Sequence, residues 1–331
     1  MKLNPNFIAA AVQSSPVFLN IGKTVDKVEA IVKKAHENGA ELIGFPESFI
    51  SAYPYWVWLE NPFRWREKYT KIFFENSIEI GGLYARKLCQ IAKKYKSYLI
   101  VGASERDRGT IYNSQIFVSE KGEIDGVHRK LVPTFAERSV WGRGDGSTLV
   151  TYKTKFGIVG GLICAEHNMP LVRYALLSQH EEIHVASFPG FPFKRAVLPY
   201  QADISVRNHA IEGQVFVINS CSYLTKEIID RLCENEEQLS FFEKVGNGFS
   251  GIINPLGFYI AGPLKDTEGI LYAEIDKKEI YVAKRTLDAI GHTSRPDVLH
   301  LHLNKCHQEN LYTETSDWFL EEITSSNEDG H

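Results

Sequence analysis

The chain is short of cysteine, of long apolar runs and of charge imbalance, and each shortage excludes a class of protein. Its five cysteines, Cys89, Cys164, Cys221, Cys233 and Cys306, are odd in number and irregularly spaced. That argues against a disulfide framework and for a reducing compartment, the cytoplasm. No apolar run approaches the roughly 20 residues that span a bilayer, so no membrane partner is expected. The first run, residues 7–12, is short for a secretory leader and reads as a strand. A formal net charge of −4 offers no basic surface for nucleic acid or anionic lipid. No fixed-period repeat is visible. The glycines between 142 and 146 lack the lysine and the strand–helix context of a phosphate loop, and read as a turn. A full metal-ligand set is missing too. Cys164 and His167 have C-x-x-H spacing, and His300, His302, Cys306 and His307 cluster late, but neither group supplies four ligands at familiar zinc spacing.

What the chain does contain is an alternation of strand-length apolar runs and helical periodicities. Its 331 residues leave room for one large domain or two smaller ones, and 44% hydrophobic with 24% charged residues is an ordinary globular balance. Residues 7–12, 42–45, 98–103, 156–159, 183–188 and 214–220 read as buried strands. Val25, Val28, Ile31, Val32 and Ala35 recur at helical spacing with Asn38-Gly39 as the stop, and Tyr84, Leu88, Ile91, Ala92 and Tyr95 mark a second helix. A helix is expected over 204–212, and residues 224–245 read as an inserted helix or loop. Antiparallel hairpins are expected over 111–124, around Asn254-Pro255-Leu256-Gly257, and over 271–282, where Asp276-Lys277-Lys278-Glu279 interrupts. Residues 53–65 carry dense aromatics with Pro54 and Pro62, and read as irregular. His300 and His302 alternate with leucines, which fits a strand with one polar face. The expected fold class is α/β with mixed sheets. From about Thr313 the composition turns acidic and serine-rich, so a single domain over 1–312 with a tail over 313–331 is expected.

Three residues able to do chemistry sit at strand ends or turns. Cys164 ends the run Gly160-Gly161-Leu162-Ile163, and Pro170 opens the helix that follows. A nucleophile on such a turn is held rigidly, is partly exposed and lies near backbone N–H groups, and a helix N-terminus lowers a thiol pKa. A buried structural cysteine is the competing reading of the same stretch. Glu47, in Phe45-Pro46-Glu47-Ser48, is either a surface turn residue or a site residue. Lys130, in His128-Arg129-Lys130-Leu131, belongs to a basic group of which only one member need be functional. A carboxylate can take the proton of a thiol, and a lysine beside it can stabilise negative charge on a substrate.

The ordered trio Glu47, Lys130 and Cys164 resembles the Glu-Lys-Cys triad of the nitrilase superfamily of carbon–nitrogen hydrolases, over roughly residues 7–305. Ala9-Ala10-Ala11-Val12-Gln13, Tyr53-Pro54, Arg129-Lys130-Leu131-Val132-Pro133-Thr134, Glu137-Arg138 with Trp141-Gly142, and Gly291-His292-Thr293-Ser294-Arg295-Pro296-Asp297 are similar to the nitrilase branch. The resemblance implies a four-layer α-β-β-α sandwich with two mixed sheets. It implies Glu47 as general base, Cys164 as nucleophile, Lys130 as oxyanion stabiliser and Glu137 as a second glutamate beside the site. Tyr53, Trp141, Ala165 and Pro189 match pocket positions. The residue after the nucleophile is commonly Trp in the family and is Ala165 here, which leaves substrate size and the acid-to-amide ratio open. The implied activity is cofactor-free hydrolysis of a small-molecule nitrile to acid and ammonia, through a thioimidate and an acyl thioester on Cys164. An amidase or carbamoylase using the same triad is the alternative. A catalytically silent scaffold would have lost a triad member, and all three are present. Family members form homodimers that in some cases stack into helical filaments; the 224–245 insertion and the tail are the candidate contact regions.

Overall fold

A computed structural model describes residues 6–193, 198–242 and 247–308. In chain order its elements are β1 (Phe7–Gln13), α1 (Ile21–Glu37), β2 (Ala40–Gly44), α2 (Trp56–Leu59), α3 (Pro62–Glu75), α4 (Leu83–Tyr95), β3 (Tyr98–Asp107), β4 (Thr110–Val118), β5 (Ile124–Arg129), β6 (Tyr152–Thr154) and β7 (Gly157–Ile163). There follow α5 (Pro170–Leu177), β8 (Ile183–Phe188), α6 (Leu198–Gly213), β9 (Phe216–Cys221), α7 (Lys226–Leu232), α8 (Glu236–Leu239), β10 (Ser250–Ile253), β11 (Tyr259–Leu264), β12 (Gly269–Ile275) and α9 (Lys278–Thr286). They build two six-stranded mixed sheets, ordered β12-β1-β2-β3-β4-β5 and β11-β10-β9-β8-β7-β6.

Both faces of each sheet are covered, which is why the strands read as unbroken apolar runs rather than as alternations. On β1, Ala9 and Ala11 face the second sheet with Leu42, Ile100 and Phe117, against Val159, Val185, Phe216 and Ile218. Ala10 and Val12 point the other way, into the packing of α1 and α4 with Val28, Val32, Leu88 and Ile91. Helices α5 and α6 cover the outer face of the second sheet through Leu177, Ala202, Val206 and Ala210. The layers therefore run helix, sheet, sheet, helix. Each fully buried Val, Leu, Ile or Phe contributes about 1.5–3 kcal/mol to this packing. Local signals agree at the ends of α1: the Asn20 side chain caps its N-terminus and Gly39 follows at φ +80°.

Several expectations fail for identifiable reasons. Residues 271–282 are not a hairpin. β12 pairs antiparallel with β1, Phe7 opposite Ile275, and Asp276 then accepts from the Lys278 N–H to open α9, whose Ile280 and Ala283 are buried at helical spacing. Residues 53–65 are largely helical: Pro62 does not break a helix but starts α3, where the missing N–H costs nothing. The helix expected from 204 begins at Leu198. The inserted helix or loop expected over 224–245 is helical, holding α7 and α8, with residues 243–245 outside the described residues. Around His300 and His302 there is no strand; Leu301 and Leu303 pack on Leu149, Leu162 and Leu176 while the histidines stay exposed. The tail expected from 313, and with it the domain boundary, also lies outside the described residues.

Candidate active site

The first sheet supplies the charged side chains and the second the thiol. Glu47 sits three residues past β2, on backbone that lies against β3. A Cβ on Gly102 would come within 2.0 Å of the Pro46 carbonyl oxygen, so only glycine admits this approach. The turn after it is strained, with Ser48, Ser51 and Ala52 all at positive φ. Lys130 follows β5, its N–H donating to the Asn113 carbonyl on β4 at 2.8 Å. Glu137 lies in a short 3₁₀ turn, where its Oε2 accepts from the Thr134 N–H at 2.7 Å.

These side chains converge. Lys130 Nζ donates to Glu47 Oε1 at 3.1 Å and to Glu137 Oε2 at 2.8 Å, and all three residues are buried. Asn113 donates to Glu47 Oε1 at 2.6 Å, and the Tyr53 hydroxyl donates to Glu137 Oε1 at 2.8 Å. Glu47 Oε2 is buried and has no hydrogen-bond partner. Such an oxygen is free to take a proton.

Cys164 ends β7 in the left-handed region, φ +50°, with 5% of its surface exposed. The neighbouring Ala165 N–H favours the thiolate. The expected lowering of the thiol pKa by a helix N-terminus is not found. Burial pushes the thiol well above its usual value, the Glu47 charge adds to this, and the lysine opposes it only in part. The helix that Pro170 opens starts six residues later, beyond a 3₁₀ turn, too far for its terminal dipole to act.

The carboxylate–lysine cluster carries one more negative group than positive. Burial raises Glu47 to about 7; Lys130 holds it down and the Glu137 charge pushes it up. Burial disfavours the Lys130 ammonium as well, but the charges of Glu137 and Glu47 outweigh that and hold it well above its ordinary value. Near neutral pH the arrangement thus has a carboxyl that burial inclines toward its protonated form, a lysine held as the ammonium and a protonated thiol.

A cavity of about 300 Å³ opens onto Cys164, lined by Tyr53, Trp58, Glu137, Ala165, Pro189 and Phe191 among others. Of the four residues matched to pocket positions, Tyr53, Ala165 and Pro189 line it. Trp141 does not: it packs edge-on behind Tyr53, ring centroids 5.5 Å apart, and donates to the Ser104 hydroxyl at 3.2 Å. A larger cavity, about 460 Å³ beside Trp65 and Phe73, is lined by neither Cys164 nor Glu47 nor Lys130.

Two residues that the sequence reading missed hold the site together. Asn113 orients Glu47. Glu166, fully buried two residues past Cys164, accepts from the Ile163 N–H and the Leu131 N–H, each at 2.8 Å, and from His128 at 2.9 Å. One carboxylate therefore ties the loop of Lys130 to the loop of Cys164. A charged residue inside the apolar setting of Cys164 was the available signal.

The sequence matches the carbon-nitrogen hydrolase family over residues 8–285. It is 40% identical to an aliphatic nitrilase of Rhodococcus rhodochrous, over 94% of this chain and 86% of that one. It is 42% identical to a nitrilase of Bacillus sp. (strain OxB-1), over 91% and 89% of the two chains. Among solved structures, Saccharomyces cerevisiae Nit3, a member of branch 10 of the nitrilase superfamily, superposes with a TM-score of 0.69 at 20% identity, over 89% of this chain and 98% of that one. An amidase from Nesterenkonia sp. superposes with a TM-score of 0.62 at 14% identity, over 86% and 95%.

Proposed function

The chain belongs to the carbon–nitrogen hydrolase family, in its nitrilase branch, and on that premise we propose that Cys164, Glu47 and Lys130 carry out nitrile hydrolysis in the 300 Å³ cavity. The observation that carries the reading is the unpartnered Glu47 Oε2 in a lysine-bridged pair of buried carboxylates that acts on a buried thiol. Because the thiol pKa is held high, no thiolate is stored; the sulfur loses its proton to Glu47 as it attacks the nitrile carbon. The product of that step is a thioimidate. Lys130 and the Ala165 N–H hold the negative charge that develops. Glu47 then deprotonates a water that adds to the thioimidate carbon, ammonia leaves, and a second water releases the carboxylic acid from the thioester. Departure of the thiol in place of ammonia gives the amide.

Glu137 and Tyr53 serve to position Lys130, since Tyr53 donates to the carboxylate oxygen that Lys130 does not use. Ala165 and Pro189 shape the wall, and the small Ala165 leaves room that an indole would fill. Five free cysteines fit a reducing, cytoplasmic setting. The assembly we assign is a homo-oligomer built from dimers. Exposed Tyr200 and Ile204 on α6, with Leu256 and Phe258 on the hairpin packed beside it, supply an apolar face for a second copy.

Ammonia release and product identity on a panel of nitriles and their matching amides test the reading. Acid and ammonia from nitriles, lost in Cys164→Ala, are expected. Turnover of amides without nitriles would replace it with the amidase alternative.

A further inference from the structure

A second buried cluster touches Cys164 through its backbone instead of its thiol. The Cys164 carbonyl oxygen lies 2.8 Å from His167 Nδ1, and His167 Nε2 lies 2.9 Å from His184 Nε2. His184 Nδ1 lies 2.7 Å from Glu181 Oε1, and His209 Nε2 lies 2.8 Å from Glu181 Oε2. All four side chains are buried, three of them wholly and Glu181 to within 1%. The catalytic reading uses none of them.

Counting hydrogens decides the charge state. Each of the four contacts is of hydrogen-bond length and needs one hydrogen. A carbonyl only accepts, and so does Glu181 once ionised, the form its lowered pKa favours; the three imidazoles must then supply all four, and three neutral rings carry three. One ring is therefore doubly protonated. His209 is excluded, because its Nδ1 is buried without a partner and a second proton there would bond nothing. Of the remaining two, His184 lies against the carboxylate. His167 instead faces Arg173, whose guanidinium donates to the His167 carbonyl and pairs with Glu212.

We propose that His184 is a buried imidazolium compensated by Glu181, and that through His167 it polarises the Cys164–Ala165 peptide and strengthens the Ala165 N–H as a donor to the reacting centre. The carbonyl that His167 grips and the N–H that faces the sulfur belong to one peptide unit, so withdrawing electron density at its oxygen makes its hydrogen more positive. The same bond pins the carbonyl of a residue held at φ +50°. Burial and its two neighbouring rings keep His167 well below the usual histidine range, and burial holds His209 down to about 4. A metal ion shared by Glu181, His184 and His209 fits less well. Ligand atoms of a tetrahedral ion stand about 3.3 Å apart at bonds of about 2.0–2.1 Å, and these contacts are shorter. Hydrogens fit between them.

His184 and Glu181 are positioning residues in this account, which rests on Cys164 being the nucleophile. The test is the ring-nitrogen spectrum of the full-length protein labelled with ¹⁵N-histidine, at about pH 7.5, where an ordinary histidine is neutral. His128, whose two ring nitrogens face the Thr148 carbonyl and Glu166, accounts for one ring with both nitrogens protonated; a second, absent from the spectrum of His184→Gln, is expected. Neutral rings at both His184 and His167 would overturn the proposal. In Glu181→Gln, which keeps the shape and removes the compensating charge, kcat should fall about tenfold with KM unchanged, less than the 10²–10³ of deleting an oxyanion donor. An unchanged kcat would overturn the catalytic half. If that variant does not fold, the wild-type spectrum still decides the charge state. Failure of the nucleophile assignment would appear separately, as activity surviving in Cys164→Ala.

Discussion

Two buried clusters reach Cys164, one on the side of its thiol and the other at its carbonyl, and both are built from glutamate and nitrogen-bearing side chains. In the cluster of Glu47, Lys130 and Glu137, one carboxylate oxygen is left without a partner, and burial lifts Glu47 to about 7. In the cluster of Glu181, His184, His167 and His209, both oxygens of Glu181 are bonded. Burial again favours the neutral acid, but the two histidines outweigh it and bring Glu181 down to about 2. On the proposed reading the same side chain serves as a base where a lone pair is left free and as a fixed counter-charge where none is. Burial alone does not separate the two roles; hydrogen-bond saturation does.

The sharpest way to break that comparison is to neutralise each glutamate in turn. Glu47→Gln should lower kcat on a nitrile by about 10²–10⁴, the range of a lost general base. In the wild type, kcat/KM should fall as pH drops below about 7, where Glu47 takes up its proton. A profile flat from neutrality to pH 5 would remove Glu47 from the base role. Lys130→Met leaves two buried carboxylates without their cation, and urea denaturation should record a loss of about 3–5 kcal/mol together with the loss of activity.

Stability against pH separates the clusters by sign. The folded pKa of Glu181 is depressed, so its stabilisation is present above its ordinary value of 4.5 and is lost as pH falls through about 2. The shift corresponds to on the order of 3 kcal/mol, and Glu181→Gln should remove that part of the acid sensitivity in thermal melts. The folded pKa of Glu47 is raised, so its contribution is full below 4.5 and is lost as pH rises through about 7. Glu47→Gln should therefore not lower the Tm above neutrality. The smallest effect is expected from Ala165→Trp, which fills part of the cavity without touching either cluster. It should cut kcat/KM for bulky nitriles relative to small ones by about 10–200-fold and shift the acid-to-amide ratio. Equal effects on all substrates would mean that Ala165 does not set pocket size.

Much of this contrast was legible before any coordinates. Glu47, Lys130 and Cys164 stand where apolar runs end, and a resemblance to one family ordered them. The four layers followed from that resemblance; the alternation of strands and helices by itself gives an α/β protein with mixed sheets. The resemblance matches Trp141 to a pocket position, whereas packing places it behind Tyr53. Asn113, Glu181, His184 and His209 left no local trace, and Glu166 and His167 showed only as polar residues close to Cys164. Each acts across strands, and neither periodicity nor turn chemistry records which side chains face one another across a sheet or beneath a turn. The misread 271–282 segment has the same origin, since the partner of β12 lies at the far end of the chain.

That last pairing also sets a clock. Phe7 faces Ile275, so β1 cannot gain its outer neighbour until 268 more residues have been made. At about 5–20 residues per second, roughly 10–50 s of synthesis separate the two strands. Through that interval the edge of β1, flanked by alanine and valine, stays open to pairing with any other nascent chain. Translation speed therefore sets how long that edge waits for its partner.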